Sequence, residues 1–189
     1  MSLAVWFSVA LGTIVGFVHA CGGLLRLSSA KSSHAFTNVY GKFLGCPGKP
    51  LQVIIAVGEI IGGIGLLVGI WADALNGFDE QMSDISKALV IVFGVAMMNV
   101  EMVASFMHTY IDGCGKAAFP GVLAFISLTF VLVRVFGVEP STWANQLLAT
   151  GLSAIMIIIT GITMIINHVA GNHESVVKEA NEDPIMNGC

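Results

Sequence analysis

The stretch from Val57 to Gly69 lies inside an unbroken apolar run from Leu51 to Trp71, and such a run admits few folds. About 20 apolar residues are enough to cross the hydrocarbon of a bilayer as a helix. This run carries a carboxylate, Glu59, where hydrocarbon is expected. It also carries Gly58, Gly62, Gly65 and Gly69, spaced four, three and four apart. On a helix these glycines share a face and form a flat stripe that a second helix can approach closely. An acid beside a packing groove points to a membrane helix bundle with a polar interior. It does not name a reaction.

Composition supports that fold class. Hydrophobic residues make up 56% of the chain and charged residues 11%, against roughly a quarter charged in a soluble domain. Mean hydropathy is +0.86. No basic patch is interleaved with aromatics, so nucleic acid is not an implied partner. Cys21, Cys46, Cys114 and Cys189 are scattered, with no CxxC pair and no Cys/His cluster at zinc spacing. No basic segment precedes the first apolar run, so no cleavable leader is expected.

The expectation is an all-α, polytopic membrane bundle of about five spans, at residues 3–25, 51–71, 85–111, 119–137 and 143–167. Residues 1–169 form one transmembrane domain, and 170–189 a polar C-terminal tail without apolar period. In the first span Gly12, Gly16, His19, Ala20 and Gly23 share a face, with Arg26 at the polar boundary. Residues 33–44 carry Ala35, Phe36, Val39, Tyr40, Phe43 and Leu44 at helical spacing. This pattern predicts an amphipathic helix lying on the membrane surface or packed on a neighbouring subunit. Ser83 or Asp84 is expected to cap the third span, Pro120 to open the fourth, and Trp71 to anchor at the interface. Arg134 is expected to snorkel or to pair with Glu139.

Glu59 and Glu101 both fall some 12–15 Å from the same membrane face at about 1.5 Å per residue. Gly94, Met98, Glu101, Ser105 and His108 form a seam along the third span. His19, Glu59, Glu101 and His108, from three helices, are therefore the candidate polar cluster. Buried charges cost about 2.5–3.5 kcal/mol each on insertion scales, so each calls for a reason. One reading is a proton- or quinone-linked site. The other is a set of interhelical hydrogen bonds that fixes the bundle. The spacing is not diagnostic of a metal site, and no catalytic triad, P-loop, dinucleotide or haem-attachment motif is present. No cofactor is implied beyond a bound lipid.

At these residues the chain resembles the DoxX-like superfamily, which includes the DoxX/DoxD membrane proteins and the NACHO-type eukaryotic proteins. The first helix carries glycines and ends in Arg26-Leu27, followed by an aromatic-bearing loop with Phe36, Tyr40 and Phe43. The second carries Gly58-Glu59, Gly62-Gly63, Leu66-Leu67 and Gly69. The third ends in His108 and a polar turn at Asp112, and the fourth has a late Arg134. The resemblance covers roughly residues 10–137, and the fifth span, the acidic tail and Glu101 depart from it. It implies a compact four-helix membrane core, and members act as small subunits of quinone-linked oxidoreductases or as assembly helpers.

Two functions are expected from these observations. The first is a non-catalytic accessory subunit or assembly factor of a multi-subunit membrane complex, respiratory or photosynthetic, with the bilayer and other membrane subunits as partners. The alternative is a small membrane subunit of a quinone-linked oxidoreductase, handling protons or quinone at the Glu/His cluster. The basic residues Arg26, Lys31, Lys42, Lys49, Lys116 and Lys178 fall on one side, and Lys87 and Arg134 on the other. The positive-inside rule then puts the C-terminus on the matrix, stroma or cytosol side of an organellar inner membrane, where Cys46, Cys114 and Cys189 are expected as free thiols.

Overall fold

A computed structural model describes residues 3–75, 80–111, 114–137 and 150–162, together with Lys178; the side chains of 80–83, 114 and 137 are not described. Asp112-Gly113, Glu139, the ends of the fifth span, the polar tail apart from Lys178, and Cys114's side chain lie outside that set. The elements are α1 (Leu3–Ser28), α2 (Ala30–Ala35), a π-helical turn (Phe36–Tyr40), α3 (Gly41–Leu44), α4 (Gly48–Ala74), α5 (Glu80–Ile111) and α6 (Cys114–Gly137). A shorter apolar helix, α7 (Thr150–Ile162), follows. There is no strand among the described residues. Helices α1, α4, α5 and α6 are each long and apolar enough to cross a membrane.

Several boundaries differ from those read in the sequence. Helix α4 starts at Gly48 rather than Leu51, because Pro50 falls in its first turn, where a missing N–H costs nothing. Helix α5 starts at Glu80, so Ser83 and Asp84 lie inside it instead of capping it. Helix α6 starts at Cys114 and runs through Pro120. The proline removes one ladder N–H near the helix start. Ser105 Oγ of α5 donates to the Ala117 carbonyl of the same turn at 3.2 Å.

The four long helices form a ring. Helix α1 packs on α4 and α6, and α5 packs on the same two. Val9, Val15, Leu66, Ile70, Val90, Met97 and Phe130 fill its centre. Segment 30–44 is helical throughout, capped at its start by Ser29 Oγ, which accepts from the Ser32 N–H at 3.2 Å. It ends at Gly45, whose φ of 67° lies in the left-handed region glycine enters freely. Its apolar side, Ala35, Val39 and Phe43, packs on Met107 and Ile111 of the chain's own α5. Part of the amphipathic face is thus covered by the chain's own α5.

The glycines sort by neighbour. A Cβ on Gly16 would sit 2.9 Å from the Gly63 carbonyl, and one on Gly63 2.6 Å from the Gly16 carbonyl. One on Gly23 would sit 2.5 Å from the Ala56 carbonyl, so the α1 and α4 backbones touch along Gly16, Gly23, Ala56 and Gly63. Gly62, Gly65 and Gly69 face Met97, Phe93 and Val90 of α5 instead, and Gly12 faces Ile70 and Phe130. Successive helix residues differ by about 100°, so Gly62 and Gly63 serve two different neighbours in the ring. Gly58, read as the first member of the stripe, meets no atom within 4 Å and is exposed. Gly63→Leu is expected to prevent stable folding in detergent, whereas Gly58→Ala should stabilise by about 1 kcal/mol through helix propensity. Equal losses of thermal stability at the two positions would overturn this division of roles.

Candidate functional site

The close α1–α4 approach sets the geometry of the polar cluster. His19, Gly23 and Arg26 follow Gly16 along one face of α1 at three- and four-residue spacing. That face meets the half of α4 that carries Gln52 and Glu59. Arg26 Nη1 donates to Glu59 Oε1 at 2.9 Å. His19 lies between two carboxylates, with Nδ1 3.9 Å from Glu59 Oε1 and Nε2 3.4 Å from Glu101 Oε1. His19, Glu59 and Glu101 are all buried. Three helices, α1, α4 and α5, thus meet through ionisable side chains. The Glu59 Oε2 and His19 Nε2 atoms have no hydrogen-bond partner among the described residues.

Arg26 was read as a boundary residue, yet it is the cation of the cluster. The signal for it was its position seven residues after His19, two turns on along the same face. Its carbonyl accepts from buried Gln52 Nε2 at 2.7 Å, which satisfies a C-terminal carbonyl of α1. Its guanidinium lies over the Phe36 ring, 5.7 Å from the centroid. His108 stands apart from the Glu59–Glu101 pair and meets Tyr40 edge-on, with ring centroids 5.8 Å apart. The seam on α5 therefore divides. Gly94 packs on Phe130 of α6, Glu101 faces His19, and His108 faces the π-helical turn.

The opposite end of the ring holds a second ion pair. Arg134 Nη2 donates to Asp73 Oδ2 at 2.7 Å, linking α6 to α4. Arg134 is buried and paired with Asp73, so it does not snorkel; Glu139, the other expected partner, lies outside the described residues. Trp71 Nε1 near the same end donates to Thr13 Oγ1 at 3.1 Å.

Beside the cluster lies a cavity of about 430 Å³. Its wall is built by Arg26, by Phe36 and Tyr40 of the π-helical turn, and by Gly58 of α4. Asn99 and His108 of α5 and Met156 and Thr160 of α7 complete it, among apolar residues. Asn99 is buried; its Nδ2 donates to the Val95 carbonyl at 2.9 Å, and its Oδ1 has no partner among the described residues. Among those residues no group of three His, Cys, Asp or Glu side chains is arranged to hold a metal ion. Cys21 and Cys46 are free thiols.

Fold and site together define an all-α helix bundle of membrane type, with an ionisable cluster shared by three of its helices. Among known proteins, no family model, no curated sequence and no solved structure matches the chain.

Two outcomes test this geometry. Arg26→Met leaves Glu59 buried without its cation and should cost about 3–5 kcal/mol. Adding Glu59→Gln should recover most of that loss. A thermal or denaturant double-mutant cycle measures the coupling, and strictly additive losses would show that the pair does not interact. In the α3–α4 connection, burial pushes the Cys46 thiol up from its ordinary value. Less thiolate is then present at neutral pH, so alkylation at Cys46 should be slower than at a free thiol. It should also keep accelerating at pH values where the free thiol has levelled off. Peptide mass spectrometry of iodoacetamide-treated protein reads this site by site.

Proposed function

We propose that the protein is a non-catalytic accessory subunit or assembly factor of a multi-subunit membrane complex, with a DoxX-like four-helix core extended by a fifth apolar segment. The observation that carries this reading is how the buried charges are used. Arg26–Glu59 links α1 to α4 and Arg134–Asp73 links α6 to α4, while His19 Nε2 of α1 sits 3.4 Å from Glu101 of α5. Each pair ties two different helices of the ring, as expected of polar groups that hold a bundle together in lipid. Helix α7 adds an apolar face with Ile155, Ile158, Ile159 and Ile162 exposed, a surface of the kind membrane subunits pack against. Lys31, Lys42, Lys49 and Lys116 lie toward the end of the ring that holds Arg26. The positive-inside rule supports placing that end, and the C-terminus, on the matrix, stroma or cytosol side of an organellar energy-converting membrane. Native mass spectrometry of a mild membrane extract should find the protein together with other membrane subunits. A monomer that copurifies with nothing would overturn the proposal.

A second reading, a quinone- or proton-handling subunit of an oxidoreductase, is favoured by one observation. The cavity adjoins Arg26, whose partner Glu59 keeps a carboxylate oxygen without a hydrogen bond among the described residues. In that case Glu59→Gln with Glu101→Gln would abolish turnover of the assembled complex without dissociating it. Full activity in an intact complex carrying both changes would exclude this second reading.

A further inference from the structure

The cavity beside Arg26 is more than a packing defect. Its volume of about 430 Å³ falls in the range of small-molecule sites, roughly 300–1,000 Å³, and like them it is mostly apolar with a few convergent polar groups. Two local features mark it. Asn99, 6% exposed, is on its wall, and its Oδ1 has no partner among the described residues; a buried acceptor left unpaired is costly. The chain also adopts a π-helical turn at Phe36–Tyr40, and both end residues of that turn line the cavity. Single π-helical turns occur often at functional sites.

The polar groups on the wall define the head of the occupant. Arg26 carries five N–H donors and gives one to Glu59, so it can donate to a further acceptor. Asn99 Oδ1 calls for a donor. One group that both accepts and donates is a hydroxyl. A carboxylate or phosphate fits poorly, because the Arg26 charge is matched by Glu59 at 2.9 Å and Glu101 stands in the same cluster. The remainder of the wall is aliphatic, aromatic and methionine side chains suited to a hydrocarbon body.

We propose that this cavity binds one neutral, hydroxyl-headed amphiphile, with its head toward Arg26 and Asn99 and its apolar body covered by α7. Gly58 keeps the cavity open. It lines the wall, and a Cβ there meets no atom within 4 Å. The chemistry is shared by hydroxylated membrane lipids (a sterol, a glyceride) and by a long-chain hydroquinone. The site stands whether or not the protein belongs to a larger complex.

Full-length protein in nanodiscs is exposed to four photoreactive probes: a sterol, a monoacylglycerol, an alkyl hydroquinone and, as the anionic control, a fatty acid. At least one neutral probe should label peptides containing Phe36, Asn99 or Met156, and its unlabelled counterpart should compete. Gly58→Leu should remove that labelling by filling the cavity while keeping or raising the melting temperature. Asn99→Leu should lower it up to about tenfold, the worth of one buried hydrogen bond. Preference for the sterol or glyceride identifies a lipid occupant, and preference for the hydroquinone a redox-active one; both support the site. The proposal is overturned by equal or stronger labelling with the fatty acid. Labelling unchanged in Gly58→Leu, or no labelling of folded protein by any neutral probe, overturns it as well.

Discussion

The contact between the α1 and α4 backbones is the constraint on which the rest of the structure depends. Gly16 lies against Gly63 and Gly23 against Ala56, at distances no β-carbon could occupy without displacing the partner's carbonyl. In lipid there is little hydrophobic gain from bringing two apolar helices together, so association rests on close packing and on polar contacts between helices. The glycines supply the first and make the second reachable. At this separation His19 and Arg26 meet Glu59 directly. With a larger residue at Gly63 the helices would separate, and a carboxylate would be left in hydrocarbon with no cation beside it.

The ion pairs repeat that logic around the ring. A lone buried charge is costly, and a matched pair offsets much of the cost only when its geometry is good. The structure places one such pair at each end, Arg26–Glu59 and Arg134–Asp73, at 2.9 and 2.7 Å. Both use α4, which thereby anchors α1 through one pair and α6 through the other. These pairs select register more than they add stability. Sliding α4 by one turn past its neighbours would break both pairs and bring Gly63 out of line with Gly16.

Much of this was legible in the sequence, because hydrocarbon leaves few alternatives. Long uncharged runs are membrane-crossing helices, and charges inside them must converge on something, which made His19, Glu59 and Glu101 visible as a group. The helix phase was not legible. Gly58, Gly62, Gly65 and Gly69 look like one stripe on an isolated helix, but in a ring α4 has two neighbours, and Gly63 takes the closer contact. Arg26 and Arg134 looked like boundary residues because distance along the chain says nothing about depth once a partner is present. Asp73, the partner of Arg134, fell outside the expected span 51–71, whereas α4 runs on to Ala74. His108 shares a face with Glu101, yet it is drawn to Tyr40 by a segment whose docking on α5 depends on tertiary contact.

The docking of that segment explains why a cavity exists in so tightly packed a bundle. Residues 30–44 bury Ala35, Val39 and Phe43 on the end of α5. Phe36 and Tyr40, four residues apart, share the face that reaches the cavity wall, and Val39 and Phe43, also four apart, share the face on α5. Phe36 meets the Arg26 guanidinium and Tyr40 meets His108. The π-helical turn thus couples the polar cluster on one side of the cavity to the α5 end on the other. Gly58 opposite supplies no side chain, and α7 closes the outer face with Met156 and Thr160. Tight glycine packing at α1–α4 and open space at Gly58 are two uses of the same residue type on one helix, decided by which neighbour each glycine faces.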